Sequence, residues 1–125
     1  MNSPTAAMAT SSASCWHLLC ERHDLIPFSG VAAWLETSEG PAQVAIFYLP
    51  GRKQELYAID NHDPLSGANV MARGIIGDLD GQPVIASPLY KQHYRLEDGQ
   101  CLEEVAIKVR TWNVAFDGGS VLIYK

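Results

Sequence analysis

The 125-residue sequence predicts an all-β, antiparallel fold, and three observations carry that expectation. Gly and Pro breaks recur every several residues, from Ser29-Gly30 to Asp117-Gly118-Gly119, and leave little room for long helices. The stretches between the breaks are short and rich in β-branched and aromatic residues. Two Asp-Gly pairs, Asp98-Gly99 and Asp117-Gly118, stand between strand-like flanks, where glycine tolerates the positive φ of a tight hairpin.

The elements follow in chain order. Residues 1–14 carry no charge, and ten of the fourteen are Ser, Thr or Ala, so a disordered tail is expected there, with the domain running over 15–125. Strands are expected over Val31 to Leu35, Gln43 to Leu49 and Glu55 to Ile59. A short helical turn suits Ala68 to Arg73, followed by strands at Val84 to Ala86 and His93 to Leu96. From Ile107 to Phe116 the apolar positions are odd at first (Ile107, Val109) and then even (Trp112, Val114, Phe116). A period of two cannot change parity without an extra residue, which predicts a bulge or strand break near Thr111. A last strand is expected over Ser120 to Tyr124.

Length and charge narrow the function. A chain of this size holds one core. Hydrophobic residues make up 47% and charged residues 18%, a composition that collapses. Nine basic against fourteen acidic side chains give a net charge of −5, and no basic cluster offers a seat for phosphates, so nucleic acid is not an expected partner. Apolar runs such as Val44 to Leu49 fall far short of the roughly 18 residues that span a bilayer, so no membrane partner is expected either. Three scattered cysteines, Cys15, Cys20 and Cys101, do not make the paired framework of a secreted domain, which points to a reducing cytoplasm. No Gly-rich phosphate loop opens a helix, so a nicotinamide has no seat here.

Two polar loops carry side chains able to converge: Asn61-His62-Asp63-Pro64-Leu65-Ser66-Gly67-Ala68 and Ser87-Pro88-Leu89-Tyr90-Lys91-Gln92. In the plainest reading, Asn61 or Asp63 bonds its own backbone and Pro64 fixes the chain direction. A hydrolytic trio of Ser87, His62 and Asp63 is disfavoured, since His62 and Asp63 are neighbours and no strand-turn-helix elbow presents Ser87. Lys91, with Arg73 or Arg95, would form a modest positive rim beside the second loop. Cys101 is expected to pack as a small hydrophobe.

The spacing of these loops resembles the two cluster-binding loops of Rieske iron–sulfur proteins, Cys-x-His and then Cys-x-x-His. In this sequence Asn61 and Asp63 stand where the first pair would be, and Ser87 and Tyr90 where the second would be. A [2Fe–2S] centre of that type needs two thiolates and two imidazoles, which an amide, a carboxylate, a hydroxyl and a phenol do not replace. Ala58-Ile59-Asp60 through Val70, Arg73-Gly74-Ile75-Ile76-Gly77-Asp78 and Ala86-Ser87-Pro88-Leu89-Tyr90-Lys91-Gln92 together resemble the small subunits of NAD(P)H-dependent nitrite reductases.

That resemblance implies a Rieske-like β-sandwich with no catalytic, cofactor-binding or metal-ligating residue of its own. It implies docking on a large subunit that holds FAD, siroheme and an iron–sulfur cluster and reduces nitrite to ammonium in nitrate assimilation. His62, Lys91 and Gln92 are the expected contacts. The alternative is a self-standing binding module that uses the former cluster crevice. In either case, polar contacts from Asn61, Asp63, Ser87 or Tyr90 are expected to tie the loops together in place of a cluster.

Overall fold

The computed structural model describes residues 15–125, so the tail expected over residues 1–14 lies outside the described residues. In chain order the strands are β1 (Trp16–Glu21), β2 (Ser29–Thr37), β3 (Gly40–Tyr48), β4 (Leu56–Asp60), β5 (Ile75–Leu79), β6 (Gln82–Ala86), β7 (His93–Arg95), β8 (Thr111–Trp112), β9 (Val114–Asp117) and β10 (Ser120–Tyr124). Their pairing is antiparallel throughout. They form three sheets, ordered β9-β10-β1, β2-β3-β4-β8 and β5-β6-β7. The only helical elements among the described residues are 3-10 turns at Arg22–Asp24 and Met71–Arg73.

The four-stranded sheet carries core on both faces. Ala45 and Phe47 of β3 and Tyr57 and Ile59 of β4 pack with Ile85 and Tyr94 of the β5-β6-β7 sheet. The alternate residues, Val44, Ile46, Leu56 and Ala58, pack with Val121 and Ile123 of β10. A strand buried on both sides has no face to give to polar residues, which is why Val44 to Phe47 is an unbroken apolar run.

The parity change in Ile107 to Phe116 is not a bulge within one strand. β8 pairs with β4 and β9 pairs with β10, so the chain passes from one sheet to another at Asn113, two residues beyond the expected break. Upstream, residues 107–110 are irregular apart from a bridge between Gln100 and Lys108. The Asp117-Gly118 hairpin forms as expected, with Asp117 opposite Ser120 and Gly118 at φ +60°. β1 and β5, not expected from the sequence, complete the two outer sheets.

The Met71–Arg73 turn falls at the end of the expected helical segment, and it packs against β2. A Cβ at Gly30 would stand 2.5 Å from the Ala72 carbonyl oxygen, so only glycine permits that approach. This contact, with those described next, holds Arg73 against the loops.

Candidate functional site

The first loop leaves the end of β4, and the second leaves the end of β6. They meet through one buried hydrogen bond, in which Ser87 Oγ donates to Asp63 Oδ2 at 2.5 Å. Both residues are sealed from solvent, at 1% and 0% exposure. The other carboxylate oxygen of Asp63 accepts from the backbone N–H of Leu65 at 2.9 Å and of Ser66 at 3.4 Å. The Asp63 backbone closes its own turn, with its N–H on Ala68 O and its C=O accepting from Gly67, each at 2.8 Å. Burial alone would raise the Asp63 pKa; the hydrogen bonds from Ser87, Leu65 and Ser66 outweigh it and hold the carboxyl below the ordinary aspartate value. A buried anion satisfied in this way is a structural fastener.

Asn61 fastens the opposite side. Its side-chain Nδ2 donates to Gln43 Oε1 at 2.5 Å, and its Oδ1 accepts from Ala72 N–H at 2.7 Å. Its backbone pairs with Gln43 and Met71. One amide therefore ties β3, the first loop and the 3-10 turn together, and every polar atom it buries has use.

The second loop is different beyond Ser87. Ser87 N–H donates to Gln92 O at 2.9 Å and Lys91 N–H to Ser87 O at 3.0 Å, which closes the turn. Between these bonds Pro88, Leu89, Tyr90 and Lys91 are exposed. The expectation that Tyr90 helps fasten the loops is corrected here. Its ring is 59% exposed and its hydroxyl has no hydrogen-bond partner among the described residues.

His62 is exposed, with its N–H on Asp60 Oδ1 at 3.0 Å, while Gln92 is half-buried. The direct Ser87–Asp63 bond leaves no place for an imidazole between the two, so the hydrolytic trio does not form. Of the expected cationic rim, Arg73 and Lys91 line one cavity of about 310 Å³ with His93, whereas Arg95 is committed to Asp98 through bonds of 2.9 and 2.7 Å.

Sequence reasoning missed two participants. Gln43, eighteen residues before Asn61, is its amide partner. Tyr94, fully buried on β7, has a hydroxyl with no hydrogen-bond partner among the described residues, and burial followed by the negative charge of Asp63 pushes its pKa up to about 12. It lies in the strand expected over His93 to Leu96, but nothing in the sequence signalled the orphaned hydroxyl. Of the cysteines, Cys101 is buried in the core as expected; Cys20 is half-buried, and burial with nearby Asp24 and Glu21 raises its thiol to about 11.

The Rieske-like [2Fe-2S] domain family matches residues 15–124. The chain belongs to this family. Within it, the chain is 38% identical over 106 residues to the nitrite reductase (NADH) small subunit of Escherichia coli K12, covering 85% of this chain and 94% of that one. The NMR structure of the E. coli protein NirD superposes with a TM-score of 0.77 at 35% identity, over 90% of this chain and 98% of that one. A nitrite reductase [NAD(P)H] large subunit from Klebsiella oxytoca is 37% identical over 108 residues; these span 86% of this chain but 11% of that protein. The relatives bear out the resemblance to nitrite reductase small subunits.

The family's group can be tested against the donors present. A Rieske centre is held by two cysteine thiolates and two histidine imidazoles. Neither loop contains a cysteine, the first loop holds one histidine, His62, and no group of three or more His, Cys, Asp or Glu side chains able to hold a metal ion occurs among the described residues. Asp63 and Ser87 are already joined to each other, and Asn61 is engaged through both side-chain atoms. The residues of the two loops do not fit a [2Fe–2S] cluster.

Proposed function

We propose that this chain is the cluster-free small subunit of a cytoplasmic NAD(P)H-dependent nitrite reductase, docking on and supporting a large catalytic subunit. The observation that carries the reading is the Ser87–Asp63 hydrogen bond: the loops that would grip a cluster grip each other instead. Asn61, Asp63, Ser87 and Tyr90 are read as the former ligand positions. What is left to function is the surface that the fastened loops present, with His62 of the first loop and Lys91 and Gln92 of the second at the contact.

A segment similar to this whole domain forms part of the K. oxytoca large subunit, which supports a working association between the two. On this reading, FAD, siroheme and an iron–sulfur cluster belong to the large subunit. That subunit takes electrons from the nicotinamide and reduces nitrite to ammonium in nitrate assimilation, and the chain described here contributes no electron-carrying group.

Affinity capture from nitrate-grown cells tests this, with optical and metal analysis of the isolated chain. The expected result is a stoichiometric flavin- and siroheme-containing companion and a colourless small chain. Stoichiometric iron and acid-labile sulfide in the isolated chain, or full nitrite turnover by the companion after deletion of this chain, would overturn the reading.

A further inference from the structure

The arginines of the described residues are engaged within the chain, with one exception. Arg22 lies 3.5 Å over the Phe116 ring, Arg52 reaches Asp78 at 3.1 Å, Arg95 grips Asp98, and Arg110 reaches Glu39 at 3.3 Å. Arg73 has no ion pair or side-chain hydrogen bond among the described residues. It lines a cavity of about 310 Å³ together with Lys91, His93, Ile75, Ser87 and Pro88.

Lys91 is also without a side-chain partner among the described residues, and its backbone stands at φ +61°, a conformation that lysine seldom adopts. His93 Nδ1 lies 2.6 Å from Glu103, whose other oxygen takes the His93 N–H at 2.8 Å. Glu103 is bound to His93 and not to Arg73 or Lys91, neither of which has a carboxylate partner among the described residues. On a chain of net charge −5, the cavity is a local reversal of sign.

Its surround is apolar. Ile75 is 74% exposed, and Leu89 and Tyr90, in the same turn as Lys91, are 52% and 59% exposed. A free inorganic anion gains nothing from such a collar. A protein partner does, because apolar contact around a charged pair excludes water and strengthens it.

We infer that this cavity receives a carboxylate-bearing segment of the large subunit, an Asp or Glu flanked by apolar residues, with Arg73 and Lys91 as its two cations. The inference rests on the docking reading and names the chemistry of the contact. Arg73 is placed by the Asn61-anchored turn and Lys91 by the Ser87-anchored loop, so the fastened loops set the spacing of the pair.

The test titrates the large subunit, purified with its cofactors, against the full chain at about 50 and about 300 mM salt. Wild-type affinity is expected to fall with salt. The double variant Arg73→Gln with Lys91→Gly, in which glycine suits the backbone at position 91, is expected to bind about tenfold more weakly at low salt and to lose most of the salt dependence. Lys53→Gln with Lys108→Gln removes equal charge outside the cavity and is expected to change neither, and matched melting temperatures guard against misfolding. Unchanged affinity and salt response in the cavity variant would overturn the inference and leave docking standing. Failure of the wild-type chain to bind would overturn docking itself, and the occupant with it. Inorganic phosphate that saturates the cavity, seen by NMR at Arg73 and Lys91, without reducing partner binding would assign the cavity to a free anion and overturn the inference.

Discussion

The two loops, one after β4 and one after β6, use their side chains in opposite ways. The first turns two polar side chains inward, Asn61 and Asp63, which are buried and each make several hydrogen bonds, and leaves His62 exposed. The second buries Ser87 and half-buries Gln92 at its two ends and sends Pro88 to Lys91 between them into solvent. Fastening and presentation are thus separated, and the bond between Ser87 and Asp63 is where one supports the other. Two loops with no cluster between them can still hold one shape, provided buried polar groups supply the tie.

The contrast breaks most sharply at Asp63. Asp63→Ala removes the acceptor for Ser87, Leu65 and Ser66 and leaves the Ser87 hydroxyl buried and unpaired, so a loss of about 3 kcal/mol is expected in denaturant unfolding. The same group sets an acid limit. Because its folded pKa lies below the ordinary aspartate value of 3.8, its contribution is full above that pH and is lost as pH falls through the folded pKa. Asp98 and Glu103 are shifted in the same direction and add to the acid-side loss. Asp63→Asn is therefore expected to be less stable at neutral pH, with a shallower decline in acid, measured by melting temperature from pH 7 to pH 3.

Ser87→Ala is the milder half of that pair. Asp63 keeps its two backbone donors, so a loss of about 1.5 kcal/mol is expected, together with an acid limit moved upward because one bond that depressed the carboxyl is gone. A double-mutant cycle over Asp63 and Ser87 should give a coupling of about 1 kcal/mol or more. Simple additivity would mean that the loops do not depend on this bond.

Tyr94→Phe should act in the other direction. Its hydroxyl is buried without a partner, so deleting it is expected to stabilise the fold by about 1 kcal/mol. Its pKa is raised from 10.0 to about 12, so folding of the wild-type chain weakens as pH rises from 10 toward 12, where the unfolded tyrosine ionises and the folded one does not. The variant should lose part of that alkaline decline. Cys20, raised from 9.0 to about 11, contributes a decline of the same sign in both proteins.

What the sequence made legible follows from where each signal lives. β3 and β4 were readable because a doubly buried strand must be apolar at every position, and Val44 to Phe47 is. The Asp117-Gly118 hairpin was readable because its cause is local. β1 was not: Trp16–Glu21 alternates poorly, with Trp16 and Leu18 exposed, and it is held by pairing with β10 about a hundred residues away. β5 was hidden because Gly77 and Asp78, residue types depleted in strands, interrupt its apolar run, although they pair with Val84 and Pro83. In the site, the residue types at Asp63 and Ser87 were visible through the resemblance, but not that they would bond directly. Gln43 and the orphaned Tyr94 hydroxyl depend on distant contacts and carried no sequence signal.

The smallest stability effect belongs to Tyr90, and it sharpens the division between the loops most directly. Its ring is exposed and its hydroxyl bonds to nothing among the described residues, so Tyr90→Phe should melt within about 0.5 kcal/mol of wild type, as should a change at exposed Lys108. Tyr90→Ala should also spare the fold. If the second loop exists to present its side chains, that variant should instead weaken binding to the large subunit, by about tenfold for an aromatic anchor at an interface. Loss of stability without loss of binding would place Tyr90 among the fasteners and remove the distinction between the loops.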